Sequence, residues 1–371
     1  MEKFIIIGAG ILGSSTAYHL AKNGASVTVI DREDSGQATD AAAGIICPWL
    51  SQRRNKAWYA LAKSGAAHYP SLIEQLKKDG EIETGYRQVG AISLHSDELK
   101  LKKMEERARA RRQEAPEMGA IEWLTVEECA SFFPPIADQL QAIFVSGAAR
   151  VDGRALRNAL QNAAKKHGAT FVKGSARLAS SSNAVTGVNV GEQFYPAGSV
   201  ILTTGAWAAE IVKPLGINLK VSGQKAQIVH LQIENTKTND WPVVIPPTNQ
   251  YIVPFDHGRV VVGATHEDNR PFDHKVTIGG IHEIATKALE IAPGLTEGAY
   301  VETRVGYRPF TPNFLPIIGE FAQVKGLWIA NGLGASGLTI GPFLGNQLAK
   351  LVLGQEVEID LSLYRVEQAI E

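Results

Sequence analysis

Phe4-Ile5-Ile6-Ile7-Gly8-Ala9-Gly10-Ile11-Leu12-Gly13 decides the fold of this chain. Phe4 to Ile7 is a short β-rich apolar run, suited to a strand buried on both faces. Gly8-Ala9-Gly10 breaks it, and Ile11 to Lys22 then carries apolar residues at helical spacing. Gly24 stops that helix, and Ser26 to Ile30 forms a second apolar strand that ends on Asp31. A complete strand–turn–helix–strand unit thus closes within the first 31 residues.

The turn has Gly-x-Gly-x-x-Gly spacing and lies between a strand and a helix, the context in which this spacing has a physical meaning. Gly8 permits the tight turn, Gly10 lets the backbone approach a pyrophosphate, and Gly13 allows the helix to lie close on the strand. The helix N-terminus offers free N–H groups and a partial positive charge to phosphates. Asp31 is placed to accept hydrogen bonds from a ribose diol, which disfavours a 2′-phosphate. The unit reads as a dinucleotide site, and by itself it leaves FAD and NAD open.

Outward from this unit, a helical stretch spans Trp58 to about Lys78, and a strand is expected at Val89 to Leu94. A charged helix follows from Glu98 to about Glu114. Its basic run, Lys100 to Arg112, is interleaved with acids and lacks aromatics, so it reads as a solvated helix face. Asp152 is placed to cap a helix over Arg154 to His167. Phe171-Val172 and Ser199 to Thr203 read as further strands of the nucleotide-binding sheet. A β-rich region begins near Val221, with a hairpin of Tyr251 to Phe255 and Arg259 to Gly263 turning at Asp256-His257-Gly258. The chain closes with a strand at Gly326 to Ala330, a glycine turn, and a helix from Leu338 to Leu353. An α/β domain interrupted by a mainly antiparallel one argues against a simple two-halved NAD fold.

Composition narrows the function classes. The chain has 371 residues, enough for two domains, with 44% apolar and 20% charged residues. A formal net charge of −1 gives no global field for nucleic acid or an anionic membrane. The two cysteines, Cys47 and Cys129, have no metal-like spacing and read as buried thiols. No stretch is long and apolar enough to serve as a bilayer span, so a soluble, cytoplasmic protein is expected.

Three further segments bear on the choice of dinucleotide: Thr39-Asp40-Ala41-Ala42-Ala43-Gly44-Ile45, Val200 to Trp207, and Gly332-Leu333-Gly334-Ala335-Ser336-Gly337-Leu338-Thr339. Together with the N-terminal turn, these four ordered motifs resemble the D-amino acid oxidase family of flavoenzymes, especially its glycine and D-amino acid oxidase branch. The resemblance spans nearly the whole chain. It implies an α/β fold: a Rossmann-like FAD-binding domain of the glutathione-reductase type, interrupted by a mainly antiparallel β substrate domain with helices. The expected division assigns 1–85, 147–220 and 305–371 to the FAD domain, and 86–146 and 221–304 to the substrate domain.

Residue by residue, the resemblance implies that Ile11, Leu12, Asp31 and Arg32 contact the diphosphate and adenosine part of FAD. Thr39, Ala43, Gly44 and Ile45 would lie along the ribityl chain and isoalloxazine, and the backbone of Arg177 would meet the adenine. Thr204, Gly205 and Trp207 belong to the second of the matching motifs and are expected at the cofactor. Leu333 to Thr339, including Gly334, Ala335, Ser336, Gly337 and Leu338, would wrap the flavin pyrimidine ring. A helix starting near Gly337 would aim its positive end at the ring edge where charge collects on reduction. No cysteine lies in the C-terminal half, so FAD is expected to bind non-covalently.

On the substrate side, the resemblance assigns carboxylate binding to Arg308, whose planar fork suits a bidentate contact, with help from the Tyr251 hydroxyl. The implied reaction fixes a small amino acid (glycine, sarcosine or a D-amino acid) so that its α-hydrogen leaves as hydride to flavin N5. The imino acid then hydrolyses to an oxo acid and ammonia or an amine. Oxygen, reduced to hydrogen peroxide, is the expected acceptor. A D-amino acid dehydrogenase feeding a quinone or another acceptor, and a non-catalytic FAD-binding protein, remain the alternatives. A homo-oligomer is also open. One departure stands out. Where glycine oxidases carry a second arginine or similar polar residue in the C-terminal glycine loop, this chain has Ala335. The space it leaves admits larger D-amino acids, cyclic imino acids or N-substituted glycines.

Overall fold

A computed structural model describes residues 3–371 of the chain. The first strand, Lys3–Ile7, is buried over all but its first residue and lies inside a six-stranded sheet. Its neighbours are Ser26–Asp31 on one side and Ser199–Leu202 on the other, both parallel to it. Thr170–Lys173 and Leu327–Asn331 extend the sheet in parallel, and Ile317–Glu320 closes one edge antiparallel to its neighbour. Strands buried on both faces must be apolar throughout, and Phe4 to Ile7, Val200 to Leu202 and Leu327 are each at most 4% exposed.

The helix Ile11–Lys22 is buried from Ile11 to Ala21. It packs against Gly153–Lys166 and the C-terminal helix Gly337–Val352, which in turn meets the long helix Lys56–Lys78. The cap expected at Asp152 is present: its carboxylate accepts from the N–H groups of Arg154 and Ala155, both at 3.0 Å.

A second sheet has eight strands, in the order Ala299–Phe310, Ser222–Gln232, Arg259–Gly263, Tyr251–Pro254, Val243–Ile245, Ala91–His95, Gln141–Val145, Ile121–Leu124. Every pairing in it is antiparallel except that of Val243–Ile245 with Ala91–His95. The hairpin read at Tyr251 to Gly263 is two of these strands, with Ile252 opposite Val262. Ala299–Phe310 pairs with Ser222–Gln232 as far as Phe310, so this sheet runs through the division expected at residue 305. Arg308 therefore lies within a strand.

Among the described residues, no helix is long and apolar enough to cross a membrane.

Candidate active site

The carboxyl ends of the sheet strands carry Gly8, Asp31, Thr203 and Asn331, and a cavity of about 420 Å³ opens above them. This is where ligands bind in open α/β sheets. The geometry of the first turn explains why glycine is needed there. Gly8 has φ +103°, and a Cβ on Gly13 would stand 1.9 Å from the Gly8 carbonyl oxygen. Gly44 is equally constrained, because a Cβ there would come within 1.8 Å of the Val151 carbonyl oxygen.

Of the residues expected at the cofactor, Gly8, Gly10, Ile11, Leu12, Asp31, Arg32, Thr39, Ala43, Gly44, Ile45, Thr204, Gly205, Trp207 and Gly334 to Thr339 all line this cavity. Gly13 lies behind the wall, where it allows the close approach just described. Arg177 is exposed on the strand Ala176–Ser181, and its neighbour Ala176 is the lining residue there. The four motifs, spread over more than 300 positions of sequence, thus meet around one volume.

Hydrogen bonds tie these segments to one another. The Asp31 carboxylate accepts from the Ala9 N–H at 2.5 Å, the Glu33 N–H at 2.5 Å and the Gln37 amide at 3.1 Å. The Thr39 hydroxyl accepts from the Ile11 N–H at 3.0 Å, and the Thr339 hydroxyl donates to the Ile45 carbonyl at 2.9 Å. Arg32 is paired with Asp34 at 2.9 Å and Glu210 at 2.7 Å.

The walls fit a flavin dinucleotide. Helices Ile11–Lys22 and Gly337–Val352 both begin at the cavity with no cap from their own N-cap side chains, and although Thr39 takes the Ile11 N–H, the positive ends of both helices lie at it. Among the described residues, nothing beyond its chain neighbours and its own helix backbone lies within 4 Å of where a Cβ on Gly337 would be, which leaves room for a planar ring against that helix start. Cys47 also lines the cavity, but burial pushes its thiol up to about 12, so no thiolate is on offer. The one histidine before Ala41, His19, is buried within the first helix and is not part of the lining.

The opposite wall comes from the eight-stranded sheet. Tyr251, Arg308, Asn249 and His266 all line it. The Arg308 guanidinium donates to the Gln224 side-chain carbonyl at 3.0 Å, and among the described residues no carboxylate pairs with it. Burial pushes the Tyr251 phenol up, and the adjacent Arg308 charge opposes that shift. Burial, then the Arg308 charge, holds His266 below the ordinary histidine value, so it is a neutral ring at pH 7. Asn249 contacts its Nδ1 at 3.3 Å. The sequence reading missed Asn249, His266 and Trp58. Asn249 had no signal, since it stands in a bend two residues before the strand Tyr251–Pro254. Trp58 reaches the cavity from the long helix and donates its indole N–H to the Ser336 hydroxyl at 3.1 Å.

Comparison with known proteins agrees with this geometry. A family model described as FAD dependent oxidoreductase (DAO) matches residues 3–351. The oxidoreductase YurR of Bacillus subtilis, itself uncharacterised, is 60% identical, with 98% of each chain covered. Glycine oxidase of Pseudomonas aeruginosa is 30% identical, again over 98% of each. Among solved structures, iminodiacetate oxidase from Chelativorans matches with a TM-score of 0.95 at 44% identity, covering 98% of each chain. Glycine oxidase from Geobacillus kaustophilus matches at 0.88 and 26% identity, covering 99% of each. A dinucleotide cradle built from four separated motifs and matched along nearly its whole length makes this chain a member of the DAO family of FAD-dependent oxidoreductases.

Proposed function

We propose that the chain oxidises the C–N bond of a small amino acid: glycine, sarcosine or another N-substituted glycine, or a D-amino acid. The observation that carries the reading is Arg308, a cation on the cavity wall beside Tyr251 with no carboxylate partner among the described residues. A partly desolvated cation without a counter-ion calls for an anion, and the planar guanidinium suits a carboxylate. The glycine oxidases and the iminodiacetate oxidase among its relatives support the same substrate class.

Arg308 and Tyr251 would hold the substrate carboxylate and so fix the α-carbon toward the opposite wall, where Gly337 to Thr339 begin their helix. Bound FAD supplies the hydride acceptor there. Gly8 to Leu12, Asp31 and Thr39 would hold its dinucleotide part, and Ala43 to Ile45, Thr204, Gly205, Trp207 and Gly334 to Thr339 the rest. As the C–H electron pair leaves, the amine lone pair forms the C=N bond, and the nitrogen gives up a proton to solvent. Water then adds to the imine and releases an oxo acid with ammonia or an amine. The two electrons pass to oxygen, giving hydrogen peroxide. A dehydrogenase would pass them to a quinone or another acceptor.

An anaerobic visible titration of the purified protein tests this reading. Glycine, sarcosine, D-alanine, D-proline and the L-forms would be added in turn. Bleaching of the flavin bands by one of them is the expected result, and bands that none of them bleaches would refute the reading. Peroxide yield under air separates oxidase from dehydrogenase, and flavin left in the supernatant after acid precipitation verifies non-covalent binding.

A further inference from the structure

Arg308 is not the only half-buried arginine at the substrate end without a carboxylate partner among the described residues. Arg53 stands in the loop between Ile45–Ile46 and the helix Lys56–Lys78. Its guanidinium lies 4.3 Å from the centre of the Trp58 ring and donates to the Phe314 carbonyl at 2.9 Å. Its backbone N–H is held by the Ser51 hydroxyl at 3.2 Å. Ser51 and Trp58 both line the cavity, so Arg53 sits directly outside that wall. Phe314, across from it, is 58% exposed, so this side of the wall faces solvent. Burial lowers the Arg53 pKa from the ordinary arginine value, as expected for a cation partly out of water with no counter-ion. The acids among the lining residues, Asp31 at the end of the second strand and Asp34 just after it, stand at the dinucleotide end.

Two guanidinium groups without a carboxylate partner among the described residues, one on the cavity wall and one directly outside it, suit a ligand with two carboxylates. We propose that Arg53 binds a second substrate carboxylate, so that the preferred substrates are small aminodicarboxylates. Arg308 and Tyr251 take the carboxylate next to the reacting carbon, and Arg53 takes the one on the distal arm. Ala335 is the small residue that leaves space for that arm. The inference rests on the reading of the site given under Proposed function, and it adds a determinant of specificity to it.

The test uses FAD-loaded protein and two non-oxidisable ligands, thiodiacetate with two carboxylates and methylthioacetate with one, titrated by their perturbation of the flavin spectrum. Wild type is expected to bind thiodiacetate at least tenfold more tightly. Arg53→Met is expected to raise the Kd of thiodiacetate at least tenfold more than that of methylthioacetate, and Arg53→Lys is expected to recover part of the difference. An intact flavin spectrum in each variant shows that the fold is retained. Equal Kd values for the two ligands in wild type, or equal shifts for both in Arg53→Met, would overturn the proposal. Anaerobic bleaching by iminodiacetate and N-ethylglycine keeps the two readings apart. Bleaching by both at the same half-saturation overturns the second carboxylate site alone. Failure of any amino acid to bleach the flavin, with thiodiacetate still bound through Arg53, overturns only the assigned reaction.

Discussion

The Tyr69 hydroxyl donates to the Leu338 carbonyl at 2.6 Å. That carbonyl would ordinarily accept from the N–H four residues on, but residue 342 is a proline inside the helix Gly337–Val352 and has none. Tyr69 thus fills a gap in the first turn of the helix whose start lines the cavity. Both partners are buried, so an unfilled carbonyl would carry a desolvation cost.

Tyr69→Phe removes the donor and keeps the ring. The expected loss is about 1–3 kcal/mol of stability, because a buried acceptor is left unsatisfied. Flavin should also bind less tightly, since Leu338 and Thr339 line the cavity proposed to hold it. Thermal unfolding with and without added FAD measures both effects. A variant with unchanged Tm and unchanged FAD content would show that the helix start does not depend on this bond.

Arg308→Ala tests carboxylate binding. The expected loss in kcat/KM is about 2–5 kcal/mol, the usual cost of removing one member of a desolvated charge pair. Arg308→Lys should recover only part of it, since an ammonium lacks the planar fork. Gln224, the side chain that Arg308 bonds in this structure, gives a companion variant: Gln224→Leu should act in the same direction, but less. Unchanged efficiency in Arg308→Ala would remove this residue from the site.

Asp31→Ala should loosen FAD by roughly 1–3 kcal/mol, since carboxylate hydrogen bonds lie in this range. Its carboxylate also orders the Ala9 N–H and the Glu33–Gln37 segment, so the fingerprint turn loses an anchor as well. Fluorescence of FAD released on dilution gives the dissociation constant directly. The same constant in variant and wild type would show that Asp31 does not serve the cofactor.

The contrast between Asp31 and His266 shows what the sequence could convey. Asp31 ends a strand that follows a glycine turn and a helix, so local periodicity alone placed it at the cavity. The C-terminal motif was legible for a similar reason: a strand, a glycine turn and a helix start carry their own geometry. His266 follows the strand Arg259–Gly263, and it reaches the cavity only because of how eight strands are ordered and registered. Trp58 belongs to a helix whose other buried residues read as ordinary core. Nothing in the spacing distinguished it, and its role at the wall comes from the contact of that helix with Gly337–Val352. Arg53 was hidden for another reason. It stands in a loop without periodicity, and the lack of a carboxylate partner is a property of the folded chain.

Acid lability is the last expectation. His19 and His68 lie with ring centres 6.0 Å apart between the packed helices, and the Nε2 atom of each is buried without a partner among the described residues. Burial lowers His19 to about 3 and His68 to about 4; His68 and two lysines add to the shift at His19, whereas Glu358 partly opposes it at His68. Both folded values lie below the ordinary value of 6.5, so between about pH 4 and 6.5 the unfolded chain holds more protons than the folded one. Stability therefore rises with pH across that window and falls as pH drops through it. At pH 5 each histidine should cost roughly 2 kcal/mol relative to pH 7.5. Because the buried Nε2 of His68 has no partner to lose, His68→Gln should unfold less steeply with acid, and its denaturant midpoint at pH 5 should lie closer to its value at pH 7.5. Equal acid sensitivity in wild type and His68→Gln would assign the effect to other groups.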